Sequence, residues 1–384
     1  MWDRNSKANP HAEIDQRLSA SGNVFSSLIQ EDNSYTHEFK NEGQSTEVRV
    51  KVIVTGGAGF IGCHVARVLV DAGHTVLVLD DLSGGFDENV PPKAAFERRS
   101  IIEDLDSLFQ KFKPDVVYHL AAYAAEGLSH HIPVFNYSNN LMGTANVLGA
   151  AYRSGARHFV FTSSIAAYGH AHRGSTFSED DACVPCDPYG VAKLACENHI
   201  RVFHDYFRRP SFTIFRPHNV FGPHQNPSDP YRNVVGIFIK RALSEESLPI
   251  FGDGSQTRSF SYISSVARCI AEAPFVEAAK NQVFNIGGDE SMSVRDLACH
   301  ICRLVGVGEK LEFLPARKEV LHAHADHSKV RRVFPEAFTE SLDIVDGLKE
   351  TVEFIRNKPI PEATECPSTI EILDHLPASW AARL

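Results

Sequence analysis

One junction constrains the fold of this chain more than any other. From Val48 the sequence VRVKVIVT reads as a strand, runs directly into GGAGFIG, and continues as the apolar-periodic helix HVARVLVDAG. Gly56, Gly59 and Gly62 therefore stand where a strand hands over to a helix. Missing side chains let the backbone turn tightly, let an anionic group approach the helix N-terminus, and let helix and strand pack closely. A glycine triplet also occurs in ordinary strand-to-helix turns, so its context decides. The next apolar run, TVLVLDD, ends in Asp80-Asp81, near the ~20-residue offset at which an acid meets the adenosine ribose of a dinucleotide. Such an acid accepts bonds from the 2′- and 3′-hydroxyls and repels a 2′-phosphate. The LSGGFDEN that follows has no Arg or Lys to hold that phosphate. Gly56, Gly59, Phe60, Ile61 and Gly62, with Asp80 and Asp81, are thus predicted to bind NAD rather than NADP.

Downstream, DVVYHLAA, HFVFTSS and FTIFRP read as further strands, separated by the helical patterns EDLDSLFQKF, NLMGTANVLGAAYRSG and YGVAKLACENHIRVFHDYF. Apolar strands alternating with amphipathic helices imply a parallel sheet covered on both faces. The expected fold is α/β, a Rossmann-type doubly wound parallel sheet over residues 48–218. After Pro217 the alternation weakens and loops lengthen, as in NVFGPHQNPSDPYRN and LPIFGDGSQTRSF. Residues 219–358 are expected to be mainly a smaller C-terminal substrate-binding lobe over the carboxyl ends of the strands. VFNIGG is expected to return the chain to the main sheet. Residues 1–47 lack a sustained apolar period and read as a flexible extension, and residues 359–384 as a C-terminal tail.

Bulk properties exclude several classes. The 384 residues are 43% hydrophobic and 22% charged, ordinary globular composition with enough chain for a large core. No run approaches the ~18 apolar residues of a membrane helix, and MWDRNSKANPHAEIDQ lacks a signal peptide's apolar centre. The expectation is a soluble cytoplasmic protein without a membrane partner. A net charge of −10 argues against a nucleic-acid partner, although a helix N-terminus and a few arginines can still hold a diphosphate. Eight cysteines are too few for a disulfide scaffold. Cys183/Cys186 and Cys299/Cys302 lack zinc-ribbon spacing, as His322, His324 and His327 lack ligand spacing. No metal is expected.

Tyr189 and Lys193 in YGVAK stand four apart, on one face of a helix. The lysine is expected to draw the phenol's pKa down from its usual ~10, so that a tyrosinate can act as general base. YxxxK also arises as a solvated helix pair. Here it follows a strand ending FTSSIAAYG, whose Ser164 could orient the proton.

At this point the chain resembles a known family. TGGAGFIG, HLAA, NNLMGT, FTSSIAAYG, PYGVAK, FRPHNVFGP, GDGSQTRSF and AHADHSK occur in the order found in extended short-chain dehydrogenases/reductases of the NAD-dependent epimerase/dehydratase type, over roughly residues 48–357. The chain looks most like the UDP-glucose 4-epimerase branch. The resemblance implies Ser164, Tyr189 and Lys193 as a catalytic triad, with Leu120, Ala121 and Ala122 lining the cofactor cleft and Asn140 supporting the geometry beside it. It also implies Asn219, Asn233, Arg258 and Arg317 on the nucleotide-sugar diphosphate and base, and a homodimer paired through two helices per subunit. Departures from the pattern are Ser100, where relatives often place an adenine-contacting Asp, and Ser259 and Ser265, where acids are common.

The resemblance also orders the reactions. Dehydratases of this type carry a Thr-Asp-Glu run where this chain has Ser164-Ile165-Ala166, and neither Ile nor Ala transfers a proton. A 4-epimerase needs one base and one hydride acceptor, so a UDP-glucose/UDP-galactose 4-epimerase working through a 4-keto sugar is expected. Ala323, three positions before Asp326, replaces a bulky residue that excludes N-acetyl sugars, which implies acceptance of UDP-GlcNAc/UDP-GalNAc. Alternatives are a dehydratase, uronate epimerase or decarboxylase using an unusual acid such as Glu126, or a non-enzymatic NAD-binding regulator.

Overall fold

Side-chain alternation along β1 (Lys51–Thr55) sends Val52 and Val54 to one face of a sheet and Ile53 to the other, all fully buried. A strand buried on both faces needs helices on both sides, and the chain supplies them. The computed structural model describes residues 49–169, 176–316, 322–339, 342–361, 368–377 and Trp380, with 322 and 323 described by backbone alone. The extension expected over 1–47 lies outside these residues.

After β1 come α1 (Phe60–Asp71), β2 (Thr75–Asp80), β3 (Ala95–Arg98), α2 (Asp106–Phe112) and β4 (Val116–His119). The short helices α3 (Glu126–Ser129) and α4 (Pro133–Asn136) lead through a π-helical turn, Tyr137–Met142, into α5 (Gly143–Ser154). The first half closes with β5 (His158–Thr162), α6 (Pro188–Phe207) and β6 (Ser211–Pro217). All strands of the main sheet run parallel, in the order β11-β6-β5-β4-β1-β2-β3, with β11 formed by Gln282–Ile286. The order reverses between β1 and β4, and such a switch point leaves a crevice at the carboxyl ends of the strands.

The second half contains β7 (Val220–Phe221), α7 (Val234–Leu243), β8 (Leu248–Phe251), β9 (Thr257–Ser259), β10 (Ser261–Tyr262), α8 (Ile263–Glu272) and β11 (Gln282–Ile286). Then follow β12 (Ser291–Ser293), α9 (Val294–Val305), β13 (Leu311–Leu314), β14 (His322–Ala323), α10 (Ser328–Val333) and α11 (Ile344–Arg356). Helices α7, α9 and α11 share their own core, with Phe238, Ile239, Leu297, Ile301, Leu348 and Val352. Cys302 is one of its buried members, an apolar packing role for that thiol. VFNIGG does return to the main sheet: β11 pairs along β6, and α8 packs its apolar face on the side covered by α1.

The stretch after Lys358, read above as a tail, is built onto the body in its described part. Trp380 is 8% exposed and shares a small core with Tyr123, Leu128 and Ile132. Among the described residues no helix is long and apolar enough to cross a membrane, and no group of His, Cys, Asp or Glu could hold a metal.

Candidate active site

The carboxyl ends of β1, β2, β4 and β5 open onto one cleft of about 900 Å³. At its first end lies the glycine loop. Gly56 has φ +70°, and a Cβ there would stand 2.6 Å from the Ala121 nitrogen. A Cβ on Gly62 would stand 2.0 Å from the Gly56 carbonyl oxygen, so helix and loop touch as only glycine permits. Helix α1 starts from Gly59 with no side-chain cap and no acid in its first turn. Its N-terminal amides and dipole thus suit an anion rather than a side chain of the protein. Gly59, Phe60, Ile61, Leu120, Ala121 and Ala122 all line this part of the cleft.

Asp80, at the end of β2, accepts hydrogen bonds from the Ala58 amide at 3.0 Å and the Leu82 amide at 2.8 Å. Burial raises its carboxyl above the ordinary range, and these amides pull it partly back. Asp81 lines the cleft beside it and accepts from the Ser83 amide. A diphosphate at α1, with a ribose reaching Asp80, fits this frame. Arg99, unnoticed in the sequence, lines the same end and is turned towards Glu97 (3.4 Å) and the Asp104 carbonyl (3.0 Å).

The other end is set by α6. Asp187 caps it by accepting from the Gly190 amide at 2.8 Å, and Pro188 opens its first turn. Tyr189 and Lys193 then point inwards, 5% and 3% exposed. The Lys193 ammonium donates to the Thr162 carbonyl at 2.7 Å and lies 5.8 Å from the Tyr189 ring centroid. Burial pushes the Lys193 pKa down to about 8. Ser164, just past β5, accepts from the Ala166 amide at 3.1 Å and draws on the Tyr189 phenol from beside it. One expectation is corrected here. The phenol sits above its usual range, not below it, because burial dominates and the Glu126 carboxylate adds to it, against pulls from Ser164 and Arg232.

Two buried networks hold these groups. Glu197, one turn after Lys193 and fully buried, accepts from Ser163 Oγ at 2.6 Å and from Arg216 at 2.8 and 2.7 Å. Arg201 adds a bond at 2.8 Å. Burial alone would raise the Glu197 carboxyl, but the Arg216 bonds and charge outweigh it and hold it below the usual range. Arg216 also lies 4.6 Å over the Tyr168 ring. The second network starts at Thr55, at the end of β1. His119 bridges the Thr55 and Thr144 hydroxyls at 2.7 and 2.9 Å, and Thr144 donates to the Asn140 carbonyl at 2.6 Å. Burial lowers the His119 pKa to about 3, so it bridges as a neutral ring. Asn140, in the π-helical turn, does not line the cleft. Its amide clamps both backbone polar groups of Tyr123, at 2.8 and 3.1 Å.

On the opposite wall, Asn219, Asn233 and Arg258 line the cleft. Asn219 and Asn233 both have positive φ, 42° and 71°, and Asn219 donates to the Ser259 carbonyl at 3.1 Å. Arg258 is on β9, the central strand of β12-β9-β14, paired beside Ala323. The Ala323 side chain and the whole of Arg317 lie outside the described residues. Glu126 lines the cleft, as do Arg232 and Tyr123, with Arg232 bonded to Asp229 and 4.8 Å over the Tyr123 ring. Sequence reasoning missed Glu197, Arg216, His119, Arg232 and Trp380. A glutamate on the buried face of α6, and an arginine inside the apolar run FTIFRP, were the available signals.

A glycine-framed, uncapped helix start at the switch point of a parallel sheet, open to a buried tyrosine and lysine, defines a Rossmann-type dinucleotide fold with a reactive cleft. The family model described as the NAD dependent epimerase/dehydratase family matches residues 52–287, and the chain belongs to that family. It is 34% identical over 316 residues to the UDP-glucose 4-epimerase of Mycolicibacterium smegmatis, covering 80% of this chain and 99% of that one. A solved UDP-glucose 4-epimerase with UDP-glucose, from Thermotoga maritima, superposes with a TM-score of 0.75 at 33% identity, covering 80% and 98%. A UDP-N-acetyl-alpha-D-glucosaminuronate decarboxylase of Bacillus cytotoxicus is 29% identical over 332 residues, covering 80% and 98%. The family and these neighbours are NAD-dependent nucleotide-sugar enzymes.

Proposed function

We propose that this chain interconverts the 4-epimers of a UDP-linked hexose, using NAD that stays bound between turnovers. What carries the reading is the placing of Ser164, Tyr189 and Lys193 on the same continuous cleft as the glycine loop and the Asn219–Arg258 wall. When bound against α1 and Asp80, NAD supplies a reversible hydride acceptor and a positive ring that favours a phenolate nearby. Tyr189 takes the proton of the sugar 4-hydroxyl and later returns it. Ser164 orients that proton, and Lys193 supplies a fixed cation beside the base. Arg258, Asn219 and Asn233 anchor the diphosphate and nucleoside, so the 4-keto sugar can turn about its anchor and present its other face. Beyond Ser164, Ile165 and Ala166 offer no second proton carrier at the strand end, which favours epimerisation over elimination.

The same reading extends to N-acetylated sugars through Ala323, and to a homodimer through the apolar Met142, Val202 and Tyr206, exposed at 64%, 66% and 80% near α5 and α6. A second reading rests on Glu126. Its charge bears on Tyr189 more than that of any other carboxylate, and a lyase would use it as an added acid or base. Proton NMR of the anomeric region separates the two. UDP-glucose giving UDP-galactose at constant total sugar supports the epimerase, and net loss of water or carbon dioxide from a related substrate supports the lyase. Tyr189→Phe is expected to slow turnover by about 10²–10⁴-fold with bound NAD unchanged; unchanged turnover would remove Tyr189 as the base.

A further inference from the structure

Beyond α11 the described residues make contacts with distant parts of the chain. The Pro361 carbonyl accepts from Ser228 Oγ at 2.6 Å, and Ser228 lines the cleft. Further on, the Glu371 carboxylate accepts the Val134 and Phe135 amides at 2.8 and 2.9 Å, at the start of α4. The Glu371 amide donates to the His131 carbonyl at 2.8 Å, and His131 Nδ1 bonds the Ile372 carbonyl at 2.8 Å. Charge-assisted and backbone bonds therefore pin this segment at defined points. Further along, Trp380 lines the cleft. The indole meets Tyr231 edge-on at 5.3 Å and lies so close to Gly127 that a Cβ there would stand 3.2 Å from it. Gly127 follows Glu126, the carboxylate that acts on the Tyr189 phenol. Trp380 thus lines the cleft beside Gly127, next in sequence to the carboxylate that acts on Tyr189.

We propose that Trp380 is a specificity-determining residue that forms the outer wall of the sugar pocket and packs on the glycosyl ring of a bound nucleotide sugar. An indole offers a flat apolar face for the C–H side of a pyranose. This rests on the nucleotide-sugar reading above and extends it: Trp380 belongs to sugar recognition, while the nucleotide and NAD are held elsewhere. The full chain with its bound NAD is titrated calorimetrically with UDP and with UDP-glucose, as wild type, Trp380→Phe and Trp380→Ala. Trp380→Ala is expected to weaken UDP-glucose by about tenfold while leaving UDP unchanged, and Trp380→Phe to restore most of that loss. Equal weakening of both ligands, or of neither, would overturn the sugar wall. Because the chain has two tryptophans, Trp2→Phe leaves Trp380 as the sole tryptophan, whose emission is excited selectively. Its emission should change with UDP-glucose and not with UDP, and the same response to both would overturn the proposal even if Trp380→Ala failed to fold. A wild type that binds UDP-glucose no better than UDP would instead bring down the UDP-hexose reading, and the sugar wall with it.

Discussion

Replacing Glu197 by Gln tests how the reacting groups are held. Glu197 is fully buried and takes bonds from Ser163, Arg201 and both forks of Arg216, whose guanidinium is itself 3% exposed on its side chain. Gln keeps the shape but removes the charge, leaving a buried guanidinium against a neutral amide that must place its own donors among donors. Breaking a buried ion pair from one side costs about 3–5 kcal/mol, and the partial bonding of Gln puts the expected loss at the lower end. Unfolding entropy of ~2.1 cal/mol/K per residue over roughly 330 residues is about 0.7 kcal/mol/K, so a loss of about 3 kcal/mol lowers Tm by about 4 °C. Scanning calorimetry at neutral pH measures this. The pH dependence has a defined sign. The folded carboxyl is held below its ordinary 4.5, so its contribution is complete above that value and is lost as pH falls through the folded one. The gap between wild type and Glu197→Gln should therefore narrow in acid. A gap under about 1 °C at neutral pH, or one that widens in acid, would refute the reasoning.

Gly62→Ala forces a Cβ to within 2.0 Å of the Gly56 carbonyl oxygen; the protein is expected to lose its bound NAD, measured by absorbance of the nucleotide released on denaturation. Asp80→Ala should weaken NAD by about tenfold and reduce its preference over NADP, read by titration of the NAD-stripped protein. Lys193, with its pKa lowered to about 8 by burial, should lose its cation as pH rises through that value, so turnover falls above it. Its effect on stability has the opposite sense. The unfolded lysine keeps its proton up to 10.5, so the folding cost is full below pH 8 and shrinks between 8 and 10.5. Lys193→Met should abolish both dependences in pH–rate and pH–Tm profiles.

Most of the main sheet was legible because its strands are short runs rich in Val, Ile and Phe, whereas β3, Ala-Phe-Glu-Arg, carries no such run and gave no strand signal. The glycine loop, Asp80, Ser164, Tyr189 and Lys193 were legible for a related reason: each lies within a few residues of the strand end or helix start that positions it. Long-range partners were not. Nothing near Glu197 in sequence announces Arg216, and nothing near Tyr123 announces Asn140 or Trp380, since those pairings depend on how distant segments stack. The phenol's pKa was misjudged for the same reason. Local spacing put a lysine beside Tyr189, whereas burial and Glu126 arrive from other elements and prevail.

The place of β11 has a consequence for how this protein can be divided. The main sheet takes its edge strand from Gln282–Ile286, after the chain has already passed through α7, β8 and β9. A fragment stopped at residue 218 would contain every group that marks the glycine loop and the Tyr–Lys pair. It would nevertheless leave the backbone of β6 unpaired along one side, flanked by Phe212, Ile214 and Phe215. Such an apolar open edge is a template for association with other chains. Residue 218 is thus not a place where the polypeptide can be cut, and the chain on either side of it must be inherited, expressed and recombined as one piece.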